Sequence, residues 1–406
     1  MTGKPGAQAT DAAPYACAAS GAYADGTSGV AADGGGGATA APAADAAALR
    51  ALLLDIAQTP APTGSEGERA ALVLRLWREA GLDARLDAVG NVVADVAASS
   101  DTSAGPPTVI LAAHLDSVFG PDVDVSVTQG DERWCGPGIG DNAASLAVLT
   151  RYLQTRGLPG RACRPRLVVA ATVGEEGLGD LRGAKHLVAE FGSGADAFIA
   201  FDGGLGSITD AAVGSARYEA RFTAPGGHSW GDYGAASAVH AAGEAIGALR
   251  RVKVLNTPRS SLNVGQVWGG TSVNAIAERA GFNLDLRSLD AATLAELEAV
   301  ALTAVRAAAR AAGAAVELVQ VGARQAGRSD NERLVLAARA AYAEVGVAQR
   351  TAAASTDANP AMAAGIPAIA FGGYRGGNAH RLDEWLEPAS LGVGLAALTG
   401  LLARLA

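Results

Sequence analysis

Histidine and carboxylate side chains follow short apolar runs of this sequence, where buried strands would end. His114 and Asp116 come directly after the apolar run 109–113 and share one side of the strand, because strand residues two apart face the same way. A carboxylate beside a histidine commonly fixes the orientation of a metal-binding imidazole. The pair predicts a metal ligand with its supporting acid, although a single histidine at the end of a strand is more often structural.

Two adjacent glutamates are the most specific of these signals. Glu175 and Glu176 directly follow the apolar run 167–173 and Gly174, and Gly177 comes after them. Adjacent carboxylates at the end of a buried strand would repel each other without a compensating cation. Neighbouring side chains diverge, so one glutamate can bind metal while the other faces a substrate. The alternative is a solvated acidic turn.

Three further residues lie beside glycines. Asp141 stands where a helix is predicted to begin, and a helix N-cap is the alternative for it. The glycines before it do not form a dinucleotide-binding loop, because the full G-x-G-x-x-G pattern between a strand and a helix is missing. Asp202 follows the apolar run 197–201, and His380 ends the glycine-rich run 372–380. Each of the three is unremarkable alone.

Taken together, these side chains predict a site for two metal ions. All lie at predicted carboxyl ends of strands or in nearby loops, where open α/β sheets place their binding sites. Two imidazoles and three carboxylates, with no thiolate, suit a pair of Zn²⁺, Mn²⁺ or Co²⁺ ions. The predicted ligands are His114, Asp141, Glu176, Asp202 and His380.

The elements that must position these residues alternate along the chain. The apolar runs 109–113, 167–173 and 197–201 predict buried strands, and the stretch 142–156 between them predicts a helix. This alternation is typical of an α/β domain. We therefore expect a mostly parallel sheet covered by helices on both faces.

A different pattern occupies about residues 211–321. A strand, a long helix, two strands, a second long helix and a closing strand follow one another there, which predicts an inserted α+β domain of the ferredoxin-like type. We expect a flexible low-complexity extension at 1–44, a catalytic metal-binding domain at 45–211 and 322–406, and an inserted lid and dimerisation domain at 212–321. Because the insert exceeds what the core needs, a homodimer joined through it is expected.

Composition narrows the class of protein. The net charge of −9 disfavours nucleic acid and anionic membranes as partners, and no apolar run is long enough for a membrane-spanning helix. No secretory signal is evident at the N-terminus. Three cysteines at unrelated spacings favour reduced thiols over a disulfide framework, so we expect a cytoplasmic protein.

Seven motifs between His114 and His380 resemble those of the M20 family of metallopeptidases. They are AHLDS, GPGIGDN, GEEGLGDLRG, the Asp202 segment, GGHSW, GGTSVNAI and the terminal GGxxGGxxH. The resemblance implies that the five residues above are the metal ligands, with Asp141 bridging the two ions. It also implies that Asp116 orients His114 and that Glu175 is the general base.

The same resemblance implies roles for three residues of the insert and a substrate class. His228 would stabilise the oxyanion, often in the site of the partner subunit, and Asn274 and Arg287 would bind a substrate carboxylate. An exposed strand charge is the alternative for Arg287. Aspartate at the position of Asp202 resembles the aminopeptidase and dipeptidase branch, which includes peptidase T. Short peptides with a free N-terminus are therefore expected, and an N-acyl amino acid amidohydrolase or carboxypeptidase is the alternative.

A competing interpretation uses Ser229, which stands in a G-x-S-x-G pattern with Asp357 and His380 downstream. A nucleophile elbow needs a strand that runs directly into the serine and a helix that begins there. Residues 225–227 are Pro-Gly-Gly and break the strand first, and a second break at 231–234 delays the helix. The serine hydrolase would also leave the paired glutamates without a role.

Overall fold

The computed structural model describes residues 43–97, 107–155 and 165–405, so the predicted extension at 1–44 lies almost wholly outside the described residues. The helices of the described residues are α1 (Ala43–Ala57), α2 (Gly67–Glu79), α3 (Ala143–Thr155), α4 (Arg182–Phe191), α5 (Ala238–Leu249), α6 (Ala291–Ala311), α7 (Glu332–Glu344), α8 (Asn359–Ala363) and α9 (Ser390–Ala403). The strands are β1 (Arg85–Leu86), β2 (Val92–Val96), β3 (Thr108–His114), β4 (Thr128–Gln129), β5 (Trp134–Cys135), β6 (Arg166–Thr172), β7 (Ala197–Phe201), β8 (Ser207–Ala212), β9 (Gly214–Thr223), β10 (Gly227–His228), β11 (Ser260–Gly269), β12 (Ala275–Ile276), β13 (Arg279–Ser288), β14 (Ala315–Arg324), β15 (Arg350–Ala354), β16 (Ala368–Phe371), β17 (Gly376–Gly377) and β18 (Trp385–Leu386).

A large sheet forms the centre of the molecule, in the order β1-β2-β6-β3-β7-β16-β8-β15. Its middle strands β6, β3, β7 and β16 pair in parallel, whereas β2 and β8 join them antiparallel. Their parallel direction brings the carboxyl ends of β3, β6 and β7 to one edge. The predicted ligands that follow these strands therefore meet there.

The middle strands are buried on both faces, which explains their continuous apolar runs. Along β3, Val109 and Leu111 belong to a core that also contains residues of α1, α3 and α9. Ile110 and Ala112, which point the other way, belong to a second core with residues of α4 and α8. The sheet is thus covered by helices on both sides, as the sequence predicts.

A second, four-stranded antiparallel sheet has the order β11-β13-β9-β14. Chain order and strand order together give the ferredoxin-like arrangement, with α5 and α6 packed around a separate core that includes Phe222 and Phe282. The predicted fold class, an α/β catalytic part with an α+β insert, is confirmed. Division into separate domains at 211/212 and 321/322 stays a prediction.

A small third sheet, β17-β18-β5-β4, joins two distant parts of the sequence. Trp385 of β18 pairs with Cys135 of β5, and the N–H of Gly136 donates to the carbonyl oxygen of Glu384 at 2.9 Å. This pairing brings the segment around His380 against the loop that leads to Asp141.

Two expectations about the environment of the protein have different outcomes. Within the described ranges, every helix is too short or too polar to span a membrane. Cys135 is disulfide-bonded, so the expectation of reduced thiols is wrong for this residue. A cytoplasmic location stays a prediction.

Candidate metal centre

His114 is the most deeply buried of the predicted ligands. It is the last residue of β3, and its Nδ1 lies 3.0 Å from the backbone carbonyl oxygen of Asp116. Its Nε2 lies 3.0 Å from Oδ1 of Asp141 and 4.0 Å from Oδ1 of Asp202, which follows the neighbouring strand β7. Potential ligand atoms of His114, Asp141 and Asp202 all lie within 4.8 Å of one another. We call these three residues the inner group.

A second group shares Asp141 with the first. Nε2 of His380 lies 3.2 Å from Oδ2 of Asp141 and 3.0 Å from Oε1 of Glu176. We call Asp141, Glu176 and His380 the outer group, whose ligand atoms also lie within 4.8 Å of one another. The two oxygens of Asp141 therefore face two different histidines, one in each group.

The carboxylates of both groups raise the pKa values of the two histidines. Hydrogen bonds to Asp141 and Glu176 raise the pKa of His380 to about 10. Burial lowers the pKa of His114, but its contacts with Asp116 and Asp141 outweigh that effect and raise it well above its usual range. Burial, together with the nearby charge of Asp141, raises the pKa of Asp202 to about 7. Cations bound here would replace protons.

Asp116 does more than the sequence predicts for it. Its Oδ1 lies 3.5 Å from Nδ1 of His114, consistent with a part in holding the imidazole. The same carboxylate accepts hydrogen bonds from the backbone N–H of Glu175 at 3.0 Å and of Glu176 at 2.8 Å. One buried carboxylate thus fixes His114 and both glutamates relative to each other.

Glu384 is a part of the site that the sequence did not reveal. It is 1% exposed and accepts hydrogen bonds from the backbone N–H groups of Gly138, Gly140 and Asp141, at 2.9 to 3.0 Å. A Cβ at Gly140 would lie 2.7 Å from both Oε1 of Glu384 and the ring of Tyr374, so only glycine fits. Glu384 therefore fixes the backbone that carries the shared aspartate. Nothing in the residues around Glu384 predicts this contact, because Asp141 is 243 residues away in the chain.

Glu175 differs from Glu176 in its partner. Its carboxylate also lies close enough to His114 to serve as a ligand. However, its Oε1 lies 3.3 Å from Nη1 of Arg324, a buried residue that the sequence analysis did not single out. Burial raises the pKa of Glu175 well above its usual range, against the lowering effect of Arg324. The two adjacent glutamates therefore have different partners: Glu175 pairs with Arg324, and Glu176 faces His380.

The three site residues predicted within the insert, His228, Asn274 and Arg287, lie away from the inner and outer groups. His228 is exposed on β10, and its hydrogen bonds are local: its N–H donates to Asp232, and its Nδ1 accepts from the N–H of Trp230. Pairing of β10 with β12 places Asn274 beside it, since the N–H of Ser229 donates to the carbonyl oxygen of Asn274 at 3.1 Å.

Arg287 is separate from both of them. It lies on β13, and its Nε donates to Oδ2 of Asp285 at 2.7 Å. Within the described chain, the hydrogen bonds and ion pairs of His228, Asn274 and Arg287 do not join them to the inner or outer group.

Comparison with known proteins decides the family. A sequence model of peptidase family M20/M25/M40 matches residues 110–404, which include every predicted ligand. The chain belongs to this family. Its members act on peptide or amide bonds, and this protein is a hydrolase of that class.

Solved structures with the same fold include two peptidases. The tripeptidase from Staphylococcus aureus is 22% identical, with a TM-score of 0.73 over 89% of this chain and 98% of that one. Aminopeptidase PepT from Bacillus cereus is 21% identical, with a TM-score of 0.70 over the same shares, 89% and 98%. At identities this low, the similarity shows a shared fold and nothing more specific.

One curated relative matches part of the chain. A protein from Aeropyrum pernix, described as a LysW-lysine/LysW-ornithine hydrolase, is 34% identical over 182 residues. The match covers 44% of this chain and 47% of the relative. The chain therefore matches about half the length of that relative.

The structure does not support the serine hydrolase alternative, in agreement with membership of family M20. In the part of the chain that the structure describes, no hydrogen bonds join Ser229, His380 and Asp357 into a triad. His380 contacts Asp141 and Glu176, and Asp357 accepts a hydrogen bond from Thr172 at 2.5 Å. The residues that a serine mechanism would need are used differently.

Proposed function

We propose that this family M20 protein hydrolyses a peptide bond of short peptides that have a free N-terminus, with two bound divalent metal ions. One observation carries the proposal: the two oxygens of Asp141 face the Nε2 atoms of two histidines, His114 and His380. A carboxylate so placed can bridge two ions, one in the inner group and one in the outer group.

The residues present fit such ions. Each group offers one imidazole nitrogen and carboxylate oxygens, a donor set that suits Zn²⁺ and also accepts Mn²⁺ or Co²⁺. Three carboxylates lie close together within the two groups, an arrangement that is costly without cations. We propose Zn²⁺ as the bound ion.

The chain's own residues supply the proton transfers. Divalent metal ions held by these residues would lower the pKa of a nearby water and polarise the scissile carbonyl. Glu175 accepts the proton of that water and returns it to the leaving amine. Asp116 holds the backbone of Glu175 and Glu176 in place, and Glu384 does the same for Asp141.

A short peptide with a free N-terminus is the substrate that we favour. Asp202 stands where the aminopeptidase and dipeptidase branch has aspartate. Two peptidases of similar fold are named an aminopeptidase and a tripeptidase, which agrees with short peptides that have a free N-terminus. We assign Asn274 and Arg287 to the substrate carboxylate, which a guanidinium can bind through two donors.

A homodimer would complete the site. His228 is exposed on β10 and makes only local hydrogen bonds, so we propose that it stabilises the oxyanion in the site of the partner subunit. Strand β11 lies at the edge of the second sheet, with Val267 65% exposed and Trp268 43% exposed. An unpaired edge with apolar side chains is suited to pairing with another chain.

The second candidate is an amidohydrolase or carboxypeptidase of the same family that releases an amino acid from an N-acyl amino acid. The Aeropyrum pernix relative favours it, since that protein is described as acting on LysW-linked lysine and ornithine. Both candidates use the same metal centre, and they differ in whether the substrate has a free amino terminus.

A substrate panel separates the two candidates. The purified protein is chelated, reloaded with Zn²⁺ or Mn²⁺, and given free dipeptides and tripeptides beside N-acetylated and N-succinylated amino acids. The proposal expects turnover of free peptides that is lost on chelation and restored by metal. Preferred cleavage of the acylated amino acids would replace it by the second candidate. Activity that survives chelation but is lost in Ser229→Ala would contradict both.

Mixed dimers test the place of His228. Co-expressed His228→Ala and Glu175→Gln chains with different tags give a dimer in which both defects meet in one site if His228 acts across the interface. The other site is then complete, so the mixed dimer regains activity that neither parent variant shows. An inactive mixed dimer, or a monomer by light scattering, would place His228 in its own subunit's site.

A further inference from the structure

The last strand of the second sheet ends beside the proposed general base. Arg324, the final residue of β14, is 5% exposed, and its Nη1 lies 3.3 Å from Oε1 of Glu175. Its Nη2 donates to the backbone carbonyl of Glu175, and its Nη1 also donates to Oγ of Ser355 at 3.1 Å. One buried guanidinium thus holds Glu175 at two points, its side chain and its main chain.

Other contacts join the second sheet to the same loop, residues 174–181, which we call the glutamate loop. The N–H of Ala323 donates to Oδ1 of Asp180 at 2.7 Å, and the carbonyl oxygen of Ala323 accepts from Nζ of Lys185 at 2.9 Å. Arg217 of β9 donates to the backbone carbonyl of a loop glycine. The ends of β9 and β14 therefore dock on the loop that carries both glutamates.

The glutamate loop needs such support. Asp180 and Leu181 both have left-handed backbone conformations, with φ of 57° and 56°, which residues with side chains rarely adopt. Conformations of this kind persist where the surrounding contacts determine them. The hydrogen bond from Ala323 to Asp180 is one such contact, so the loop conformation depends on the position of β14.

That position is itself fixed. The chain crosses between the two sheets at Val213 and again at Gln325, and Nδ2 of Asn359 donates to both carbonyl oxygens, at 2.9 and 3.1 Å. Asn359 is buried at the start of α8. The side-chain amide of Asn359 thus holds both crossings in place. Because Arg324 directly precedes the second crossing, its position is fixed as well.

We propose that Arg324 is a positioning residue for Glu175, which it holds through both a side-chain oxygen and a main-chain oxygen. The proposal rests on the function proposed above for Glu175. A guanidinium suits this task because its planar set of donors can hold a side-chain and a main-chain oxygen at once, which an ammonium group cannot do with the same geometry. Its burial and its engagement with Glu175 and Ser355 distinguish it from a residue that binds substrate.

The test compares Arg324→Met with Lys185→Met, which removes another cation between β14 and the glutamate loop but makes no contact with Glu175. Arg324→Met should lower kcat by about 10²-fold, the cost of a misplaced catalytic group, with unchanged KM and with two metal ions still bound. Lys185→Met should leave kcat close to that of the wild type. Equal losses in both variants, or an unchanged kcat in Arg324→Met, would overturn the proposal. If Arg324→Met does not fold, Arg324→Lys takes its place, with a smaller loss of kcat expected.

A double-mutant cycle shows whether Arg324 acts through Glu175. Adding Arg324→Met to Glu175→Gln should cost no further activity, because the group that Arg324 positions is already gone. Losses that multiply would overturn the proposal. The single variant Glu175→Gln is read separately: full activity there rejects the general base itself, whereas an inactive Glu175→Gln beside a fully active Arg324→Met rejects only the role of Arg324.

Discussion

The inner and outer groups share Asp141 but are held by different kinds of structure. In the inner group, His114 ends β3 and Asp202 follows the neighbouring parallel strand β7, and the side chain of His114 is 2% exposed. His380 of the outer group lies on a loop, has a left-handed backbone with φ of 67°, and is 53% exposed. The large sheet holds the side chains of His114 and Asp202 in place before any ion binds, whereas the position of His380 depends on loop contacts. We therefore expect the inner group to bind its ion more tightly, since less ordering is needed on binding.

Loss of Asp141, which both groups share, should have the largest effect on metal content and activity. It should weaken metal binding in both groups alike. In Asp141→Ala both ions lose a ligand that bridges them, so we expect less than one bound ion per chain and no measurable turnover. Metal analysis after gel filtration, together with peptide hydrolysis, checks this. Two retained ions would contradict the bridging role of Asp141.

Removal of the proposed general base should leave both groups intact. Glu175→Gln is expected to lower kcat by about 10² to 10⁴-fold, the usual contribution of general base catalysis, while two ions per chain stay bound. The measurement pairs kcat with metal content. Loss of metal in this variant would reverse the roles of Glu175 and Glu176.

We expect the outer group to lose its metal ion without affecting the ion of the inner group. His380→Ala is expected to lose the weaker ion and keep the inner one, whereas His114→Ala should lose the inner ion and lower the melting temperature, since it leaves buried carboxylates without their histidine. Titration of metal-free variants with Zn²⁺ by calorimetry gives the number of ions bound. The same stoichiometry in both variants would show that the groups do not bind independently.

A smaller effect is expected from the residue that holds the backbone of Asp141. Glu384→Gln keeps the shape of Glu384 but places an amide NH₂ where a carboxylate accepted backbone N–H groups. Metal affinity should fall about 10 to 100-fold, as for other partners of metal-ligating residues. Glu387→Gln, on the same segment but paired with Arg375 outside both groups, is the matched control. Equal affinities in the two variants would contradict the role of Glu384.

The pH dependence of the metal-free protein gives the smallest expected effect. Folding raises the pKa of Asp202 to about 7, of Glu384 to about 8 and of His380 to about 10, so the folded state binds these protons more tightly than the unfolded chain. Their protonation therefore favours the folded state, and the free energy of unfolding should fall as the pH rises from about 6 to 9. Urea unfolding at both pH values checks this.

Zinc should reverse that trend, because ligands must lose their protons to bind metal. In the metal-free protein, His380→Ala should flatten the part of the decline that lies above pH 8, where His380 of the outer group still titrates. A free energy of unfolding that rises with pH in the metal-free protein would contradict the raised pKa values of Asp202, Glu384 and His380.

The sequence by itself determined the middle strands β3, β6 and β7 of the large sheet and the residues at their ends. The runs 109–113, 167–173 and 197–201 are apolar throughout because their strands are buried on both faces, and they correspond to β3, β6 and β7. Strand ends then placed His114 and Asp202 correctly relative to the fold. These features are local in the chain, so periodicity and composition report them.

Only the tertiary structure decided which residues support the ligands. Arg324 lies beyond the apolar part of its strand, predicted to end at 321, and its partner Glu175 is 149 residues away. Glu384 meets Asp141 because β18 pairs with β5, a contact across 243 residues. Pairings over such distances depend on the whole packed chain, and a single sequence contains no local pattern that reports them.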